Sequence, residues 1–253
     1  MSDVIINAQD HILSITMNRP AKKNALTALM YGAMADAIEM AETDMNVRAI
    51  LIQGVDGIFT SGNDLADFLA GPSGGLDSPV SRFIFALARS TVPLVAAVDG
   101  PAVGIGTTIL LHCDCVVAAD TTKFMLPFTN LGLVPEAGSS YLLPKIMGHT
   151  RASELILSGR AFAAEEAMSY GLINEVCSAG GLAEAASKRL AQFASKPPAA
   201  MRKSKALLKF DMPVVLERIR VEMEQFGEAL ASPEAKEAMQ AFMEKRAPDF
   251  SKF

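Results

Sequence analysis

The stretch "VPLVAAVDGPAVGIGTTILLHCDCVVAAD", Val92 to Asp120, decides the fold class. Its first part, Val92 to Gly100, reads as a strand that enters the glycine turn "PAVGIGTTILL", and Cys113 to Asp120 reads as the next strand. Two strands joined through a turn and a helix start predict an α/β architecture with crossover connections.

The flanking sequence extends the pattern. Val4 to Met17 alternates as two short strands about a turn at Gln9-Asp10, and the polar break "NRPAKKNAL" follows. Thr27 can cap the next helix, which places Met30, Met34, Ala37, Ile38 and Ala41 on one face. "RAILIQG" (Arg48 to Gly54) then reads as a buried strand that runs into the loop "GIFTSGNDL". Glycine, proline and serine without periodicity in "AGPSGGLDSPV", Ala70 to Val80, predict a mobile loop, with a helix after it to about Arg89.

After about Thr150 the pattern becomes helical. Leu182 to Ser195, Ala199 to Lys209, Val214 to Ala231 and Pro233 to Lys245 are amphipathic, and no strand is expected beyond Val176. The expected organisation is an α/β core over residues 1–195 and a C-terminal helical oligomerisation region over residues 196–253.

The 253 residues are half hydrophobic and 20% charged, without tryptophan and with 14 methionines, so the core should be built of small and flexible apolar side chains. A net charge of -5 argues against a nucleic-acid partner. Three cysteines, Cys113, Cys115 and Cys177, form no pairing framework, which favours a reducing compartment. There is no signal-peptide pattern at the start and no apolar run of bilayer length, and the terminal "SKF" differs from the peroxisomal Ser-Lys-Leu by one residue. A cytoplasmic location and no membrane partner are the expectation.

Several catalytic signatures are absent. His11, His112 and His149 lack partners at metal-ligand spacing, and "HCDC" lacks the second half of a zinc site. Gly104 and Gly106 match the first two glycines of a dinucleotide turn, but Ile109 stands where the third belongs and no acid follows near twenty residues on. What remains at "VGIGTT" is a set of unsatisfied N–H donors at a helix start, suited to an oxyanion. "FTSGNDL" is a similar turn, in which Gly62 permits a tight backbone and the Asn63 N–H points away from the strand end. In "LGLVPEAGSSYLL", Leu131 to Leu143, Glu136 is a lone carboxylate among apolar residues. It is either functional or a helix-start acid with Ser139 or Ser140 as its partner. Asp64 reads as a helix cap and Asp114 as a carboxylate serving backbone groups.

Together "NRPAKKNAL", "FTSGNDL", "DGPAVGIGTTILLHCDCVVAAD", "FMLPFTNLGLVPEAGSSYLLPKIMG" and "GLINEV" resemble, in order and spacing, the crotonase (enoyl-CoA hydratase/isomerase) superfamily. The likeness runs from about Ile12 to the C-terminal helices. It implies a spiral of β-β-α units with a helical trimerisation region, and trimers or paired trimers. It also implies an acyl-CoA thioester substrate whose oxygen lies between the N–H groups of Asn63 and Ile105, with coenzyme A as part of the substrate and no separate cofactor.

The same resemblance implies that Lys22, Ala25, Ser61, Gly62, Asp64, Leu65, Gly106 and Phe128 line the substrate and CoA site. Met30, Met34, Met125, Met147 and Phe128 are candidates to line or flank an acyl tunnel, or to serve as core. Hydratases of the family use two glutamates, and this chain has Thr108 and Phe128 at those positions. Glu136 matches the single glutamate of delta3,delta2-enoyl-CoA isomerases of the peroxisomal type, whose "PEA" and "SSY" segments resemble this one. The resemblance therefore implies an isomerase that moves a double bond from 3-enoyl-CoA to 2-trans-enoyl-CoA in fatty acid oxidation. The alternatives are a hydratase or other crotonase reaction, and a non-catalytic acyl-CoA-binding protein.

Overall fold

The computed structural model describes residues 2–66 and 78–253. Strands β1 (Val4–Gln9) and β2 (Ile12–Met17) form an antiparallel hairpin. Its turn residues are Asp10 and His11, both at positive φ, one place later than the sequence suggests. Two consecutive left-handed residues match the twist of a two-residue hairpin loop. Leu13, Ile15 and Met17 point into the core while their neighbours are partly exposed, the period of two expected of a strand covered on one face.

Strands β3 (Ala49–Gln53), β4 (Leu94–Val98), β5 (Pro101–Val103), β6 (Cys115–Ala119), β7 (Lys123–Met125), β8 (Ala161–Ala163) and β9 (Glu175–Cys177) follow in chain order. They form a six-stranded sheet, β1-β2-β3-β4-β6-β9, and a three-stranded sheet, β5-β7-β8. From β2 to β9 the larger sheet is parallel, and β4 and β6 are apolar throughout because both faces are covered.

Each turn of the chain contributes to both layers. β4 lies in the large sheet and β5 in the small one, and β6 and β7 repeat the arrangement. The turn from β3 joins the small layer through a single bridge, Thr60 to Ala102, and meets the preceding loop through another, Asn63 to Leu26. This is the β-β-α spiral that the sequence resemblance implies.

The helix Ala28–Thr43 starts at Thr27, whose side chain accepts from the Met30 N–H, and buries Met30, Tyr31, Met34, Ala35, Ala37, Ile38 and Ala41. Ser78 caps the helix Pro79–Arg89. The predicted loop Ala70 to Val80 falls over positions 70–77 outside the described residues. In the C-terminal part, helices span Leu182–Ala194, Pro198–Leu208, Met212–Ala231 and Pro233–Glu244, within two residues of expectation at each end.

Two expectations need correction. "PAVGIGTTILL" is not all turn and helix, because Pro101–Val103 is β5 and pairs with β7. The region after Thr150 is not purely helical, because it contributes β8 and extends β9 to Cys177. These strands are three residues long, too short to show a period, and are fixed by partners distant in sequence.

Candidate active site

The two glycine turns pack against each other. The Thr60 N–H donates to Pro101 O at 3.0 Å and the Val103 N–H to Thr60 O at 3.1 Å, tying the loop after β3 to β5. Gly62 has φ +93°, and a Cβ there would lie 3.0 Å from Val103 O. A Cβ on Gly106 would lie 2.6 Å from Thr60 Cγ2 and 3.3 Å from Thr60 O. Glycine at both positions lets the turns approach to backbone contact.

This approach leaves two donors without an acceptor among the described residues. The Leu26 N–H donates to Gly62 O and the Asp64 N–H to Leu26 O, so the intervening Asn63 N–H faces away from Leu26. Among the described residues it has no acceptor. Ile105 opens the short helix Ile105–Thr108 after Gly104 (φ +56°), and its N–H likewise has no acceptor there, as befits a first helical residue.

Glu136 joins this site through Thr108. The Thr108 hydroxyl donates to Glu136 Oε1, and both side chains are buried. Burial pushes the Glu136 carboxyl up to about 8; the Thr108 hydrogen bond acts in the opposite direction and the nearby Glu222 charge adds to the rise. The expected partners Ser139 and Ser140 do not serve. Ser139 Oγ is buried with no hydrogen-bond partner among the described residues, and the Ser140 N–H donates to Glu222 Oε1 at 2.9 Å.

The corner after Glu136 is left-handed at two successive residues, Ala137 (φ 58°) and Gly138 (φ 76°). For alanine that conformation costs about 1–2 kcal/mol, so the surroundings must hold it. His112 Nε2 bonds to Ala137 O at 2.8 Å, which requires the Nε2–H tautomer. Burial and the nearby lysines, Lys209 and then Lys205, lower this imidazole to about 4, so it is neutral near pH 7.

Tyr31 completes the neighbourhood. Its buried hydroxyl donates to Asn63 Oδ1, and its pKa is raised by burial and then by the Glu136 charge. One phenol therefore links the Asn63 turn to the surroundings of Glu136.

The candidate CoA residues are distributed unevenly. Ser61, Gly62, Leu65 and Gly106 belong to the two packed turns, and Ser61 N–H donates to Lys23 O at 3.0 Å. Asn24, fully buried, joins "NRPAKKNAL" to the same loop by donating to Ile58 O and Phe59 O. The Ala25 carbonyl accepts from Arg19, which also pairs with Asp64 at 2.6 Å. Asp64 further accepts from the Ala66 N–H, the capping role expected of it. Lys22 is exposed on the 3-10 turn Pro20–Lys22. Phe128, Met30, Met34 and Met147 are buried in the main core, and Met125 is partly buried. Asp114 accepts from the Leu94 N–H at 2.7 Å and pairs with buried Lys205, as a structural carboxylate would.

Sequence reasoning passed over Tyr31, His112 and Glu222. The signal for Glu222 was present: Val215, Ile219, Glu222 and Leu230 lie on one stripe of the helix Met212–Ala231, and a charge on a buried stripe requires a partner.

The chain resembles known proteins over almost its whole length. Residues 7–252 match the profile of the family described as Enoyl-CoA hydratase/isomerase. The chain is 38% identical over 213 residues to Enoyl-CoA delta isomerase 2 of Rattus norvegicus, covering 81% of this chain and 54% of that protein, about half its length. It is 32% identical to 2,3-dehydroadipyl-CoA hydratase of Escherichia coli, covering 99% of both. The crystal structure of an enoyl-CoA hydratase/isomerase from Pseudoalteromonas atlantica superposes with a TM-score of 0.94 at 42% identity, covering 99% of this chain and 100% of that one.

Proposed function

The chain belongs to the enoyl-CoA hydratase/isomerase family, the crotonase superfamily, and within it we propose an isomerase that converts 3-enoyl-CoA to 2-trans-enoyl-CoA. The observation that carries this reading is the state of Glu136: a buried carboxyl with a raised pKa, hydrogen-bonded to Thr108 at the end of the short helix whose first residue, Ile105, has an N–H with no acceptor among the described residues. Of the two positions where hydratases carry acids, one holds that threonine and the other Phe128, so neither supplies a second proton-transfer group near neutrality.

The chemistry needs one carboxylate. Ionised Glu136 removes a proton from C2 of the 3-enoyl thioester, and the electron pair moves into a dienolate. The negative charge on the thioester oxygen is met by the N–H groups of Asn63 and Ile105, worth about 3–4 kcal/mol of barrier for a well-aligned donor. Glu136 then returns the proton to C4 as the double bond settles between C2 and C3. A pKa of about 8 suits a group that must take and give the same proton near neutral pH.

A hydratase is the second reading, favoured by the full-length likeness to 2,3-dehydroadipyl-CoA hydratase, whereas the match to the delta isomerase spans about half of that protein. Purified protein assayed side by side on 3-enoyl-CoA and 2-enoyl-CoA separates the two. Isomerisation without formation of 3-hydroxyacyl-CoA is the expected result. Hydration as the faster reaction would replace the isomerase reading, and thioester binding without turnover of either would leave an acyl-CoA-binding protein.

The proposed assembly is a homotrimer or a dimer of trimers. The exposed apolar side chains Leu207, Leu208, Phe210 and Val214, at the junction of the helices Pro198–Leu208 and Met212–Ala231, support it, since exposed apolar surface is costly in water. Light scattering at micromolar concentration reads the state directly.

A further inference from the structure

The helix Met212–Ala231 sends one carboxylate back to the corner that carries Glu136. Glu222 is buried; one of its oxygens accepts from the Gly138 N–H at 2.5 Å and the other from the Ser140 N–H at 2.9 Å. Both oxygens accept, which is the hydrogen-bond pattern of an ionised carboxylate. Val215 and Ile219 of the same helix lie against Gly138, where a Cβ would come 3.5 and 3.3 Å from their Cγ1 atoms. From the other side His112 holds the Ala137 carbonyl. The left-handed corner is thus gripped on consecutive residues, Ala137 by His112 from 25 positions before it and Gly138 by Glu222 from 84 positions after it.

We propose that Glu222 is a positioning residue for Glu136: it locks the Ala137-Gly138 corner so that the carboxylate keeps its bond to Thr108, and it places a second negative charge behind the base. This inference rests on the reading of Glu136 as the base. It also gives the C-terminal helix a part in the site of its own chain. The ionisable groups around the pair are Tyr31 from the helix Ala28–Thr43, His112 from the 3-10 turn Ile109–His112, and Arg218 one turn before Glu222. His112 is neutral near pH 7 and Tyr31 is held protonated. Burial raises the Glu222 carboxyl as well, while its hydrogen bonds from Ser140 and Gly138 and then the Arg218 charge favour its ionised form, and the charge of that form adds to the rise at Glu136.

Two substitutions separate charge from reach. Glu222→Gln removes the charge and keeps the length, while Glu222→Asp keeps the charge and shortens the side chain by one methylene. The measurement is the titration midpoint of the Glu136 carboxyl by carbon-13 NMR, with its resonance assigned by its loss in Glu136→Gln, together with kcat and KM on 3-enoyl-CoA. The proposal expects Glu222→Gln to lower the midpoint from about 8 by about one pH unit. It expects Glu222→Asp to leave the midpoint in place, and both variants to lose at least tenfold in kcat with KM within about threefold. An unchanged midpoint in Glu222→Gln, or unchanged kcat in both, would overturn it. Failure of both variants to fold would also overturn it, by making Glu222 a scaffold residue. If Glu136→Gln retains wild-type kcat, the base assignment fails instead, and the NMR midpoint still decides the coupling between the two carboxylates.

Discussion

The Thr108 hydroxyl donates its hydrogen bond to Oε1 of Glu136, and both groups are buried from solvent. The sequence resemblance implies that Thr108 stands where hydratases of the family carry an acid, and a threonine cannot ionise near neutrality. Its effect is to stabilise the charged form of its neighbour. Thr108→Val keeps the shape, removes the donor and strands a carboxylate oxygen, at a cost of about 1–3 kcal/mol to the ionised form. The lower limb of the pH profile of kcat/KM should therefore move upward from about 8 by about one pH unit, with about a tenfold loss at pH 7. An unmoved limb would remove Thr108 from the account.

Burial of Glu136 also predicts how stability depends on pH. Its folded pKa of about 8 lies above the ordinary 4.5, so its contribution is fully present below about pH 4.5 and is lost as pH rises through 8. Glu136→Gln cannot ionise and escapes that loss. Relative to wild type, the variant should gain stability progressively between pH 5 and 9, by up to about 4 kcal/mol, and show no such gain at pH 4. Thermal melts of both proteins across that range check the sign. A constant difference would mean that Glu136 does not titrate as described.

Tyr31→Phe deletes the hydroxyl that donates to Asn63 Oδ1 while leaving the ring against Phe83, 5.5 Å between centroids. The core should hold, and the loss of one buried hydrogen bond should lower stability by about 1–2 kcal/mol. Because Asn63 also supplies a proposed donor, kcat should fall by about tenfold with KM little changed. Equal kcat in both proteins would show that the Asn63 backbone is held without this phenol.

Gly106→Ala tests whether the contact between the two turns matters. The added methyl would meet Thr60 Cγ2 at 2.6 Å, too close without displacement of one turn, and overpacking of this kind costs about 1–3 kcal/mol. Thr60→Ser removes the obstructing methyl and keeps the hydroxyl that donates to Asn24 O and accepts from the Gly62 N–H. The double variant should recover part of the stability and turnover lost by Gly106→Ala alone, a coupling that a double-mutant cycle measures directly. Strict additivity would argue against the contact.

The parts of this molecule that were legible in the sequence are those that carry local periodicity. The helix at Ala28–Thr43 with its Thr27 cap, the hairpin β1-β2 and the terminal helices follow from patterns within a few residues. β5, β7 and β8 did not, since three residues carry no period and their pairing joins segments far apart in the chain. The glycine turns and Glu136 were visible as residue types, but their convergence depends on the spiral. The hydrogen bond from Thr108 is hidden in the sequence, where a threonine in that place reads only as the absence of an acid. His112 was missed because it acts on the backbone of the Glu136 corner, a contact no local pattern reports; the buried stripe marks Glu222 as a charge that needs a partner but does not name the corner as that partner.

The most direct test of the central claim is the turnover of 3-enoyl-CoA by Glu136→Gln, measured beside the dissociation constant of a non-reactive acyl-CoA. A base that handles the proton at both C2 and C4 predicts a fall in kcat of about 10²–10⁴ with thioester binding within threefold of wild type. A kcat within tenfold of wild type at unchanged affinity would contradict the account.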